Sequence, residues 1–110
     1  MGLPGCPIER SVRVLEGKWT LLILRELMDG TCRFGDLLRA LPGASPKTLT
    51  ERLRAMEAQG IVHREIYAEV PPRVEYSLTD LGRTLQPVMD ALREWGANHA
   101  PAQMADAPLR

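Results

Sequence analysis

Between Ser45 and Leu78 the spacing of apolar residues changes once, and that change restricts the possible folds more than any other feature of the chain. Leu49, Leu53 and Met56 recur at i, i+4 and i+7, the period of a helix with one buried face. After Gly60 the period drops to two. Val62, Arg64 and Ile66 fall on one side of a strand, and Ile61, His63, Glu65 and Tyr67 on the other. Val74-Glu75-Tyr76-Ser77-Leu78 alternates again, beyond the loop Ala68-Glu69-Val70-Pro71-Pro72. The helix has a marked start, with Ser45 at the N-cap and Pro46 at the first position, and Gly60 is its natural stop. This stretch therefore predicts a helix running directly into a β-hairpin.

The flanking residues extend the pattern. Cys6 at an N-cap and Pro7 at the first helical position open a helix whose apolar face is Ile8, Val12 and Leu15, and Gly17 closes it. A second helix is predicted over Lys18 to Met28. Trp19, Leu21, Leu22, Ile23, Leu24, Leu27 and Met28 cover nearly its whole circumference, which requires either a central position or a second subunit. Asp29-Gly30 ends it, Thr31-Cys32-Arg33 forms a short strand, and a third helix buries Phe34, Leu37, Leu38 and Leu41. Pro42-Gly43-Ala44 turns the chain into the Ser45 helix. Thr79-Asp80 caps one last long helix with the ridge Leu81, Leu85, Val88, Met89, Leu92 and Trp95.

The expected class is mainly α with a small β-hairpin: a winged helix-turn-helix in which the third and fourth helices form the motif and the hairpin is the wing. Residues 6–99 form this domain, between a flexible 1–5 and a disordered Ala- and Pro-rich tail over 100–110. The 110-residue length is one domain's worth. Met1 to Pro7 lacks the pattern of a secretory signal, and the longest apolar run, Trp19 to Leu24, is too short to span a bilayer. Two cysteines without secretory features suggest a reducing cytoplasm and no membrane association.

Formal net charge is zero, which argues against nucleic-acid binding by bulk electrostatics, so the distribution of charge matters. From Arg33 to Arg54 the cations Arg33, Arg39, Lys47, Arg52 and Arg54 face only Asp36 and Glu51; Thr79 to Trp95 holds Asp80, Asp90 and Glu94 against Arg83 and Arg93. The basic part is the helix-turn-helix. A recognition helix presents its N-terminal turn to base edges in the major groove. Pro46, Lys47, Thr48 and Glu51 are the candidates there, with Ser45 and Thr50 beside them. Lys47 suits guanine, the Pro46 ring or a Thr methyl a thymine methyl, and Glu51 a cytosine amino group, though Glu51 also repels phosphate. Arg33, Arg52 and Arg54 are candidate phosphate contacts, and Arg73 is the cation of the wing loop. Taken singly, each is ordinary solvated charge; the order of the elements carries the inference.

Several segments resemble one family. Cys6-Pro7-Ile8-Glu9 and Gly17-Lys18-Trp19-Thr20-Leu21-Leu22-Ile23-Leu24-Arg25-Glu26-Leu27 resemble the opening of the HxlR-type regulators. Arg33-Phe34-Gly35-Asp36-Leu37 resembles the stretch that opens their third helix, and Ser45 to Arg54 their recognition helix. Pro71 to Thr79 resembles their wing and the cap of the last helix. The resemblance covers Cys6 to His99 and implies a MarR-like winged-helix repressor or activator that binds a pseudo-palindromic duplex as a homodimer. It also implies an interface built from the terminal helices, for which Ile8, Val12, Leu15, Trp19, Leu22, Val88, Leu92 and Trp95 are candidates.

Some members of that family sense oxidants or electrophiles through a cysteine just before the first helix, a position Cys6 matches. A helix N-terminus favours the reactive thiolate, so oxidation or alkylation there offers a way to tilt the DNA-reading heads. The alternative is a small N-cap residue without redox role. Cys32 reads as a buried small hydrophobe, with a Cys6–Cys32 pair as the other option. His63 and His99 are isolated, the Cys and His spacings fit no zinc pattern, and no phosphate loop or nucleophile–base arrangement is present, so no cofactor, metal or catalysis is expected. Three competing readings remain: a winged helix used for protein–protein contact, a thiol enzyme built on Cys6, and a regulator with an apolar effector pocket lined by Met56, Tyr67 and Met89.

Overall fold

The computed structural model describes residues 5–101. The expectations of a flexible N-terminus and a disordered tail fall mostly on 1–4 and 102–110, outside the described residues. The elements are α1 (Pro7–Leu15), α2 (Thr20–Met28), β1 (Cys32–Arg33), α3 (Phe34–Ala40), α4 (Pro46–Ala58), β2 (Val62–Tyr67), β3 (Arg73–Leu78), α5 (Asp80–Arg83) and α6 (Gln86–His99). This is the expected winged helix-turn-helix, mainly helical with a small sheet.

The all-round apolar helix α2 is the centre of the core. Ile23 and Leu24 are fully buried and Leu27 nearly so, while Leu21, Leu22 and Met28 pack around them. It meets α3, α6 and β3, so the chain itself covers the helix on several sides. Leu15, Trp19 and Leu22, candidates for an intersubunit surface, are partly buried against this core. Helix α2 starts two residues later than the pattern suggests. Trp19 sits at its N-cap with φ +83°, and the Thr20 hydroxyl donates to the Glu16 carbonyl, 2.9 Å away. The helical pattern of apolar residues continues through Lys18-Trp19, but the tight α1–α2 turn takes both from the helix.

The sheet is three-stranded and antiparallel in the order β1-β3-β2, so the two-residue β1 caps the hairpin's free edge, pairing Cys32 with Tyr76 and Arg33 with Glu75. The hairpin register runs from Val62 opposite Leu78 to Tyr67 opposite Arg73. The alternation along β2 does not bury one face throughout: only Val62 of the strand is buried, and Ile66 on the same side is 55% exposed. The hairpin leaves the core after its first residues and projects as a wing. On β3, Tyr76 and Leu78 face inward.

The single long C-terminal helix is in fact two. Helix α5 stops at Arg83, and α6 begins at Gln86 with Pro87 in its first turn. Pro87 has no N–H for the Arg83 carbonyl, and its ring would collide with that carbonyl in a continuous helix. Thr79 caps α5 through Gly82 N–H (3.0 Å) and donates to the Ile61 carbonyl (3.2 Å). Gly82 is buried against that same carbonyl, leaving no room for a Cβ. Of the proposed ridge, Met89 is buried and Leu85 half-buried; Leu81, Val88, Leu92 and Trp95 are exposed.

Candidate nucleic-acid interface

The helix-turn-helix is rigid because its hidden face is closely packed. Leu37 and Leu41 from α3 and its C-cap meet Leu49 and Leu53 from α4 in the core, each at most 1% exposed. Burying a Leu side chain contributes about 1.5–3 kcal/mol, so these four fix the angle between the helices. Local chemistry sets both helix starts. Ser45 Oγ accepts the Thr48 N–H (3.1 Å) and donates to Thr48 Oγ1 (2.9 Å). Asp36 accepts the Arg33 N–H (2.9 Å) and an Arg39 guanidinium hydrogen (2.6 Å). The Arg33 N–H, and then the Arg39 guanidinium, hold the Asp36 carboxyl below its usual range.

With the Leu stripe buried, the opposite face of α4 is free. Lys47, Glu51 and Arg54 are exposed and spaced i, i+4 and i+7, a single column of two cations around one carboxylate. None of the three takes part in an ion pair among the described residues. Pro46 is exposed at the head of the column. Ser45 and Thr48, expected near the bases, spend their hydroxyls on capping; Thr50 is half-buried at the flank. Arg33 is exposed at the N-cap of α3.

Two expected phosphate contacts are held inside the protein. Arg52 is half-buried, with its guanidinium over Gly17 and its Nε buried without a hydrogen-bond partner. Arg73 is braced within the wing by Tyr67, Glu69 and Glu75. Sequence reasoning missed the partners in both cases. In the sequence Gly17 marks a helix stop, and its φ of +100° and its contact with Arg52 also make it part of the α1–α4 junction. Tyr67 pairs with Arg73 across the hairpin, a neighbour only the strand register reveals.

The wing carries Glu65 directly opposite Glu75, a like-charge pair that destabilises a ladder unless compensated. His63 Nε2 lies 3.0 Å from Glu65, and Arg73 Nε lies 3.4 Å from Glu75. Arg64 reaches back to Glu57 of α4 at 3.7 Å, tying the wing to that helix.

Both cysteines are free thiols. Cys6 is half-buried at the N-cap of α1, and its side chain makes no cap hydrogen bond. Cys32 Sγ lies 3.6 Å from the Gly30 carbonyl and 3.9 Å from that of Glu26. Burial, then the carboxylates of Asp36, Glu26 and Asp29, push its thiol up. Met56 and Met89 are core residues and Tyr67 stands on the wing, so the residues of the proposed apolar pocket are not brought together. Among the described residues no group of three or more His, Cys, Asp or Glu is placed to hold a metal, and no helix is long and apolar enough to cross a membrane.

Residues 14–104 match the model of a family described as HxlR-like helix-turn-helix. An uncharacterized HTH-type transcriptional regulator of Synechocystis is 50% identical over 94% of this chain and 77% of its own length. Among solved structures, the redox regulator HypR in its reduced form superposes with a TM-score of 0.85 at 42% identity, covering 91% of this chain and 99% of that one. A transcriptional regulator described as MarR family, from Porphyromonas gingivalis W83, also gives 0.85, at 39% identity over 90% of this chain and 97% of that one.

Proposed function

The chain belongs to the HxlR-like helix-turn-helix family of transcriptional regulators, and from that premise we propose that it reads a pseudo-palindromic operator as a homodimer. The observation that carries this reading is the free column Lys47, Glu51 and Arg54 on a helix whose other face is locked in the core. Lys47, with the Pro46 ring and the Thr48 methyl, meets base edges, and Glu51 accepts from a cytosine amino group. Arg54 and Arg33 take phosphates on either side. Such a protein works in the compartment that holds the DNA, the cytoplasm.

The terminal helices supply the second subunit's seat. Ile8 (75% exposed), Val12, Val88, Leu92 and Trp95 (61%) are large apolar side chains left on the surface of α1 and α6. An exposed apolar face of this kind favours association with another apolar surface. A two-fold dimer through them places the recognition helices about one turn of duplex apart or a multiple of it.

Selection from a random duplex pool with reduced protein tests the proposal. Enrichment of an inverted repeat with half-sites about 10 base pairs apart, centre to centre, or a multiple, supports it. No enrichment at low salt overturns it in favour of the protein–protein reading.

A second reading concerns the signal. Cys6 is an uncapped, half-buried free thiol at the start of a proposed dimer helix, and HypR, a redox regulator by description, is similar across nearly the whole chain. We infer that modification of Cys6 alters operator affinity. Diamide takes up two electrons and two protons as two Cys6 thiols join in a disulfide; a quinone alkylates one. An unchanged response in Cys6→Ser overturns this reading alone.

A further inference from the structure

Among the described residues, Trp19 alone places a side chain larger than hydrogen on left-handed backbone, at φ +83°. A bulky residue is strained there, and the strain persists only where the surroundings hold it. Contacts on both sides do so. The Thr20 N–H reaches the Gly17 carbonyl (3.3 Å) and the Thr20 hydroxyl the Glu16 carbonyl (2.9 Å), which closes the turn between α1 and α2. Gly17 lies under the Arg52 guanidinium. The outer edge of the Trp19 ring meets the turn between α3 and α4, with Cη2 3.6 Å from where a Cβ on Gly43 would stand.

One short turn thus touches the helix-turn-helix at two points, Gly43 just ahead of the Ser45 cap and Arg52 in the middle of α4. It lies along the N-terminal half of α4, the half that carries Lys47 and Glu51. Lys18 rides on this turn. Its ammonium stands over the Trp19 ring, 5.3 Å from the centroid, within the range of a cation–π contact. The side chain is exposed, and neither it nor the neighbouring Glu16 takes part in an ion pair among the described residues. A lysine steadied by a ring instead of a carboxylate keeps its charge available to an anion.

The flank matters as well. On α4, Arg52 and Glu57 fall on opposite sides of the buried stripe Leu49, Leu53 and Met56, and Glu57 is the one joined to the wing by Arg64. Arg33 is also on the wing side, since its strand β1 pairs with β3. The other flank has Arg52, drawn inward, and Lys18 outside it.

We propose that Lys18 binds a backbone phosphate of the operator on the flank of α4 away from the wing, with Trp19 as its positioning residue. The proposal rests on α4 being the recognition helix. Phosphate contacts on both sides of a helix in the major groove fix its register, and a cation already steadied by a ring loses less freedom on binding.

Affinities for the selected operator and for a random-sequence duplex of equal length, each measured at several salt concentrations, form the test. Lys18→Gln is expected to weaken both duplexes and to make the slope of log K against log salt shallower by about 0.9, with the ranking of single-base operator variants kept. Lys18→Arg is expected to restore the slope. Arg83→Gln makes the same charge change on α5, which packs beside Gly60 beyond the far end of α4, and is expected to leave the slope unchanged. Trp19→Leu and the milder Trp19→Phe are each expected to weaken binding, and to add nothing on top of Lys18→Gln. An unchanged slope in Lys18→Gln, or an equal change in Arg83→Gln, overturns the phosphate contact. Losses from both Trp19 variants that add in full to Lys18→Gln overturn the positioning role. A protein that binds neither duplex overturns the DNA-binding reading and this contact together, whereas operator binding with an unaltered Lys18→Gln slope overturns the contact alone.

Discussion

The guanidinium of Arg73 lies over the ring of Tyr67, 4.0 Å from its centroid, while its nitrogens reach Glu69 at 3.2 Å and Glu75 at 3.4 Å. The wing's loop cation is thus spent inside the wing, neutralising Glu75 and stiffening the hairpin where it has left the core. Arg73→Ala is expected to weaken operator binding while leaving the slope of log K against log salt unchanged. A slope shallower by about 0.9, one phosphate's worth, would instead place Arg73 on the DNA.

Lys47 and Arg54 stand on the same column but at different depths along α4. Lys47→Ala is expected to cost about 1–3 kcal/mol and to relax specificity at one position in each half-site. Arg54→Ala is expected to weaken all sequences alike and reduce the salt slope by about one. Binding of a panel of single-base operator variants at several salt concentrations separates the two.

Trp95→Glu, or Leu92→Glu as an independent variant, is expected to convert the proposed dimer to a folded monomer, because both side chains are exposed and contribute little to the chain's own core. Light scattering after gel filtration, with circular dichroism to verify the fold, reads the result. A dimer that persists in the Trp95→Glu, Leu92→Glu double variant moves the interface elsewhere.

Gly82→Ala is expected to lower stability by about 1–3 kcal/mol, because the new methyl meets the Ile61 carbonyl, backbone that cannot easily move. Gly96, also helical but with open space around its Cβ direction, provides the control: Gly96→Ala is expected to be neutral or slightly stabilising. Thermal melts of the two variants make the comparison.

Two groups are expected to make stability fall at alkaline pH. Burial pushes the Tyr76 phenol above its ordinary 10.0, and burial followed by three carboxylates pushes the Cys32 thiol above 9.0. Each holds its proton more tightly folded than unfolded, so its contribution is intact below the ordinary value and is lost as pH climbs through the folded one. The melting temperature is expected to fall as pH rises past about 9, and to fall less in Cys32→Ala and Tyr76→Phe. An identical alkaline slope in the double variant would assign the loss to other groups.

The elements that were legible in the sequence are those fixed by local chemistry. Ser45-Pro46 starts α4 because a hydroxyl and a ring satisfy its first N–H groups, and the drop from period 3.6 to 2 after Gly60 marks the wing. Pro87 was visible too, but the apolar ridge running past it hid the break between α5 and α6. The exposed column of α4 was legible for the same reason as its buried face, since a helix with three residues fixed in the core has little freedom in where the others point. The states of Arg52 and Arg73 were not, because their partners Gly17 and Tyr67 are brought to them by the α1–α4 crossing and the hairpin register.

By itself the sequence determined the kind and order of elements, and so the winged helix-turn-helix, because helix caps, turns and hydrophobic period act over a few residues. Tertiary structure alone decided which apolar faces the chain covers for itself and which stay open, as with Leu22 against the core and Trp95 outside it. It also decided which cations are spent and which are free. Both depend on distances between residues far apart in the chain, and a one-dimensional pattern carries no information about those distances until the helices have packed.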